Sequence, residues 1–398
     1  MTKTVSQYRS SVWFVTVFSM FFGRGILNAS WTSRGPDVRD TLGVSTADMG
    51  IIATVFAAGA IIGVLASGSI IERYGSRAMA LGTYLVMPIS LIAAIFGLQT
   101  HSFLATTVAL FFFGLPFGAA DYVSNIEASE LDRASAKSRL PMLHGGYSIG
   151  VLVGALITSV LILANVPIEM QLVGTAVLIG GWTLYRVSGL PPHHGKHPDH
   201  ESGTKTVRIV QTPEGRRRTH LISVIAFVFV FAEGAAAVFI PLALTEAGRT
   251  PAEAAFAYTL YSLGMAFSRV VGGRIVDRIG RRAVVLYSSV LCAVGVGLFS
   301  FAPFGPVEYV AVLFWGVGGS LSIAMSVSAV SDNKSTLTQA QSTLWTWVYF
   351  ANLGVGPVLG GISIVTGIFG AFLVPVILLV GAASISAVTR PDPEVAST

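Results

Sequence analysis

Apolar residues in this chain come in long blocks rather than in alternation. Twelve stretches, roughly 11–33, 46–71, 78–99, 103–128, 140–164, 168–190, 219–244, 252–276, 283–302, 306–330, 338–365 and 368–389, each exceed the ~18 residues that a helix needs to cross a bilayer. Backbone N–H and C=O groups in hydrocarbon must be satisfied within their own segment, so these stretches are predicted to be helices. The pattern therefore predicts an all-α polytopic membrane protein with twelve transmembrane helices. The longest polar interruption, 191–218, divides them six and six. It predicts an amino-terminal bundle over 1–190, a cytoplasmic linker over 191–218 and a carboxy-terminal bundle over 219–398. His193, His194, His197 and His200 lie in that linker, but Pro, Gly and Asp separate them outside any apolar pattern. A tether is expected there and not a metal site.

The two halves repeat one another. Gly68-Ser69-Ile70-Ile71-Glu72-Arg73-Tyr74-Gly75-Ser76-Arg77 returns 205 residues later as Gly273-Arg274-Ile275-Val276-Asp277-Arg278-Ile279-Gly280-Arg281-Arg282. At the same offset Gly59 matches Gly264, Asp48 matches Glu253, Gly43 matches Gly248 and Pro36 matches Pro241. A duplicated six-helix unit gives two pseudo-symmetric bundles. In each turn the first glycine, Gly68 or Gly273, is expected to let two helices approach closely, and Gly75 or Gly280 to permit the tight turn. The carboxylates Glu72 and Asp277 with the basic neighbours Arg73, Arg77, Arg278 and Arg281 are expected to form cytoplasmic charge networks that exist in one packing of the halves and break in another.

Composition and charge narrow the class. Hydrophobic residues make up 53% of the chain and charged residues 11%, with a mean hydropathy of +0.71, more apolar surface than a soluble domain can hide. With both termini in the cytoplasm, Arg73, Arg77, Arg186, Arg216, Arg217, Arg218, Arg274, Arg278, Arg281, Arg282 and Arg390 fall inside, and only Arg34, Arg39 and Arg249 outside. The net charge of +5 thus reports topology and attraction to anionic lipid, and no nucleic-acid partner is expected. The single cysteine, Cys292, excludes an internal disulfide.

Ionisable groups inside apolar spans are costly and normally face a cavity or a partner. Counting along the predicted helices puts Arg24, Asp121 and Glu233 within roughly 10 Å of the membrane midplane, where substrate binds in transporters. Asn28 follows Arg24 by one turn and Asn125 follows Asp121 by one turn, so each pair lines a single face. Asp121 is read as a proton-coupling carboxylate that pairs with Arg24 in some states only, with Glu233 contributing from the other half. His144 is a further candidate. Glu127 and Glu130 are read as gate or surface residues. Aromatic and amide groups at Tyr147, Trp315, Trp345, Tyr349 and Asn352, together with Trp347, suit a sugar or polyol, although Trp345 and Trp347 also fit interfacial anchors.

The duplicated turn resembles the G-x-x-x-[DE]-R-x-G-[RK]-[RK] loop of the major facilitator superfamily, and the resemblance covers essentially the whole chain. Ser76 departs from it, standing where the first of two trailing basic residues is found. The resemblance implies the superfamily fold and alternating access, with the turn acting as a latch between outward-open and inward-open states. The segments Asn28–Asp40 and Leu140–Gly150, with Phe231–Gly234 and Ser328–Asp332, resemble bacterial inner-membrane YbjJ-like transporters, which are distantly similar to fucose and other sugar permeases. Drug/proton antiporters fit less well: Leu110, Gly114 and Gly118 occupy the frame of their fourth-helix arginine, and helix five holds only Gly150 and Gly154.

A secondary transporter of a small polar solute is therefore expected in the inner membrane, as a monomer, without cofactor and with H+ as the coupling ion; a buried carboxylate would serve sodium equally well. A drug or metabolite exporter is the alternative, and a non-transporting receptor a remoter one. No nucleotide loop, metal-spaced cluster or nucleophile motif points to an enzyme.

Overall fold

The computed structural model of the protein describes residues 10–133, 140–191, 211–301, 305–333 and 336–391. Among these there is helix and no strand. The first compact unit holds α1 (Ser10–Thr32), the short α2 (Gly35–Leu42), most of α3 (Thr46–Tyr74), α4 (Ser76–Gln99), α5 (Phe103–Arg133) and α6 (Leu140–Leu163). Its sixth span is built from α7 (Ile168–Thr175), a π-helical turn (Ala176–Gly180) and α8 (Gly181–Val187). The second unit holds α9 (Pro213–Glu246), most of α10 (Pro251–Phe301), α11 (Val307–Gly319), α12 (Ser322–Val330), α13 (Leu337–Ala371) and α14 (Leu373–Ser384).

Glycines punctuate the longest helices. At 51 residues α10 would run about 77 Å if straight, more than twice the hydrocarbon thickness. It breaks at Gly280, whose φ of 78° and ψ of 163° only glycine adopts readily. Gly75 separates α3 from α4 in the same conformation, with φ 86° and ψ 159°, and Gly367 breaks α13 at φ 74° and ψ 165°. Divided at Gly280 and Gly367, and with α7–α8 and α11–α12 each forming one span, the helices among the described residues give twelve membrane crossings close to the apolar stretches of the sequence. The largest difference lies at α9. It starts at Pro213, with Gly215 N donating to the capping Thr212 Oγ1 at 3.1 Å, so residues 213–218 of the expected linker are helix. Residues 192–210, including His193, His194, His197 and His200, lie outside the described residues.

In the first unit α1 packs chiefly on α6 and α4 on α5, and in the second α9 packs on α13. Without a hydrophobic driving force in lipid, such contacts depend on close backbone approach. A methyl group added at Gly25 would run into the Tyr147 carbonyl oxygen, and one at Gly150 into that of Phe22, so α1 and α6 touch backbone to backbone. The same holds between α3 and α5, where Gly59 faces Phe111, Gly63 faces Leu115, Gly114 faces Phe56 and Gly118 faces Ala60. In the second unit Gly264 meets Leu313, Gly316 meets Tyr261, and Gly318 meets the backbone of the wholly buried Cys292. The expectation of close approach at the turn glycines is corrected: a methyl at Gly68 would lie 3.6 Å from the Tyr122 hydroxyl, and one at Gly273 would meet nothing within 4 Å. Tight packing falls further up the helices, where glycines four residues apart open a groove on one face.

Candidate functional site

In the first unit the isolated charges of α1 and α5 meet. Arg24 Nη1 lies 2.5 Å from Asp121 Oδ1, the guanidinium side chain 6% exposed and the carboxylate 46% exposed. The difference matters because it buries the cation in protein and leaves the acid half-exposed. Three rings enclose the guanidinium, with centroids 4.8 Å away at Tyr147, 5.1 Å at Phe117 and 5.7 Å at Phe21, a favourable environment for a planar cation out of water. Asn125, one turn along α5, donates from Nδ2 to the Asp121 carbonyl at 2.9 Å and to Oδ1 at 3.2 Å. Both donors land on Oδ1, so Oδ2 has no partner among the described residues, and neither has the buried Nε of Arg24.

Neighbouring helices hold this pair in place. Asn28 Nδ2 donates to the Tyr147 hydroxyl at 3.2 Å, tying α1 to α6 where their backbones touch. The Tyr84 hydroxyl of α4 donates to the Met20 carbonyl, one turn before Arg24, at 2.8 Å. His144 is exposed and lies 5.1 Å from the Phe21 ring. Sequence reading missed Phe21, Phe117 and Tyr84, whose apolar or aromatic character does not distinguish them from lipid-facing neighbours.

The second unit carries its own acid and guanidinium. Glu233 Oε1 of α9 lies 3.7 Å from Arg269 Nη2 of α10, beyond hydrogen-bonding distance but within ion-pair range, with both side chains about a quarter exposed. Arg269 was not singled out in the sequence, although it is the lone charge between Glu253 and Arg274 on an apolar span and carried the same signal as Arg24. Trp315 is a correction. It is fully buried, with its ring against Tyr261, Phe299 and Phe372, and no face is left for a solute. Trp345 is exposed and Tyr349 partly so, while the Asn352 amide donates to its own helix at the Val348 carbonyl. Trp347 Nε1 donates to His220 Nδ1 at 3.4 Å, which ties α13 to α9.

At the turns the charges differ from expectation. Glu72, Arg73, Asp277 and Arg278 are exposed, and Asp277 and Arg278 make no ion pair among the described residues. Arg73 lies over the Tyr74 ring at 5.2 Å, and Arg77 is partly exposed. In the second unit the turn residue Arg281 pairs with Asp332, just beyond α12. Arg281 donates to both its oxygens at 2.8 Å and Arg218 to Oδ2 at 2.9 Å. Partial burial raises the Asp332 pKa, but hydrogen bonds from Arg281 and Arg218 outweigh it and hold the carboxyl below its usual range. Glu127 is also not a surface residue. It is fully buried and accepts from Trp13 Nε1 at 2.8 Å and from the Ser76 hydroxyl.

Comparison with known proteins agrees with this architecture. The family model of the Major Facilitator Superfamily matches residues 13–220 and 222–398. An uncharacterised MFS-type transporter of Yersinia pestis is 26% identical over 384 residues, covering 93% of this chain and 94% of its own. A ribitol transporter of Klebsiella pneumoniae is 32% identical over 133 residues, or 32% of this chain and 31% of its own. Among solved structures, a mutant of the nucleoside transporter NupG superposes with a TM-score of 0.77 at 14% identity, over 94% of this chain and 99% of that one, a likeness of fold. With two six-helix units, a duplicated glycine turn and a family model matched over nearly its whole length, the chain belongs to the Major Facilitator Superfamily and is a multi-pass membrane transporter.

Proposed function

We propose that the protein is a proton-coupled transporter of a small, uncharged polyhydroxylated solute, working by alternating access in the inner membrane with both termini in the cytoplasm. The observation that carries this reading is the Arg24–Asp121 pair, a buried cation held by rings against a half-exposed acid. Opening the pair favours proton uptake by the carboxylate and closing it favours release, so a solute that competes for either partner links its own binding to the proton. The pair is neutral overall, which disfavours a charged solute. It keeps one unused acceptor, Asp121 Oδ2, and one unused donor, Arg24 Nε, and vicinal hydroxyls both donate and accept. The rings of Tyr147 and Phe117 can stack on C–H faces. The short match to a ribitol transporter points the same way.

Purified protein in proteoliposomes, assayed with labelled ribitol, D-arabinitol, a hexose and a nucleoside under an imposed pH gradient, tests the reading. Uptake of a polyol or sugar against its gradient is expected. Asp121→Asn, which keeps shape and removes the proton, should abolish accumulation while sparing downhill exchange. Undiminished accumulation by that variant would place coupling elsewhere. Uptake of none of these solutes, with cationic drugs expelled instead, would favour the exporter.

A further inference from the structure

At the offset of 205 that relates the two turns, Trp13 corresponds to Arg218 and Glu127 to Asp332, as Ser76 within the turn corresponds to Arg281. Their contacts match as well. In each unit the acid closing the fourth span accepts from the start of the first span and from the residue after the turn glycine. The donors have different chemistry: two guanidinium groups at Asp332, an indole and a hydroxyl at Glu127. The shared geometry points to a tie between helices at this place in both units.

In the first unit that tie joins the helices that carry the intramembrane ion pair. Trp13 and Arg24 are both on α1, eleven residues apart, about three turns, and so face the same way. Glu127 and Asp121 are both on α5. The Trp13–Glu127 bond, between side chains 2% and 0% exposed, fixes the rotation and height of α1 against α5, on which the Arg24 Nη1 to Asp121 Oδ1 distance depends. We propose that Trp13 is a positioning residue for the Arg24–Asp121 pair, acting through Glu127. This inference rests on the coupling role proposed for Asp121. The other groups that face the pair are Tyr84 on α4 and Tyr147 on α6, with His144 against Phe21 beside them.

The test is pH-difference infrared spectroscopy of the full-length protein in detergent, with no solute added. The carboxyl band that vanishes in Asp121→Asn is assigned to Asp121, and the pH at half its amplitude is read. Trp13→Phe keeps an aromatic, though smaller, ring and removes the N–H. By loosening the guanidinium's hold on the carboxylate, it should move that pH upward by about half to one unit, the scale of one lost hydrogen bond. Ser76→Ala breaks the bond from α4 and leaves α1 tied, so it should lower the melting temperature without moving the band. If Trp13→Phe does not fold, Trp13→Met, which also lacks the N–H, carries the test in the same direction. An unmoved midpoint in the folded variant overturns the positioning role and leaves the coupling reading intact. A wild-type protein with no Asp121 band between pH 4 and 9 overturns the coupling reading and this inference with it.

Discussion

Single residues here are informative when a charge stands where charge is costly. Asp332 is one such residue outside the spans, and its behaviour with pH can be worked out. Arg281 and Arg218 hold its carboxyl below the usual range, so the ionised form favours the folded protein. That contribution is present above the unfolded-state value of about 3.9 and is lost as pH falls through the lower folded value. Asp332→Asn should therefore destabilise the protein by about 1 to 3 kcal/mol at neutral pH, and the gap between variant and wild type should close under acid, read as melting temperature against pH in detergent. At this scale the sequence was legible for Arg24 and Asp121, each an isolated charge in an apolar block. It was not legible for Trp13, Ser76 and Glu127, because their value lies in partners 51 and 114 positions apart that no local pattern connects. Trp315 failed differently: hydropathy does not tell a cavity-facing ring from one packed in the core.

At the scale of helices, lengths and breaks follow from apolar block length and glycine placement. The twelve spans could be drawn from the sequence because a bilayer sets one thickness for all of them, and α9 was drawn short because its capped first turn is polar. The turn at Gly280 makes a sharp case. Its backbone lies in a region closed to residues with a Cβ, while no atom stands within 4 Å of where that Cβ would be. Gly280→Ala should thus cost about 1 to 3 kcal/mol through backbone strain alone, seen as a lower thermal midpoint with no change in helix content by circular dichroism. Gly273→Ala, in the same turn but helical and open, should hold or slightly raise the midpoint. A fall as large for Gly273→Ala as for Gly280→Ala would show that packing rather than backbone conformation governs the turn.

At the scale of the whole chain, the duplication is visible in sequence as the turn motif and matched positions upstream of it, while the structure adds a three-residue node common to both units. The Glu233–Arg269 pair, at 3.7 Å, is looser than the Arg24–Asp121 pair, at 2.5 Å. Cys292 has a practical consequence of a different kind. It is the only thiol, it is fully buried, and the α10–α11 contact at Gly318 presses on its backbone. The natural protein should therefore behave as a cysteine-free background: maleimide should leave it unmodified while folded and add once per chain after denaturation, as read by intact-mass spectrometry. Single reporter cysteines placed at chosen helix ends would then be the only sites to react, so dyes or spin labels could test whether the two halves move, in native sequence and with nothing first engineered away.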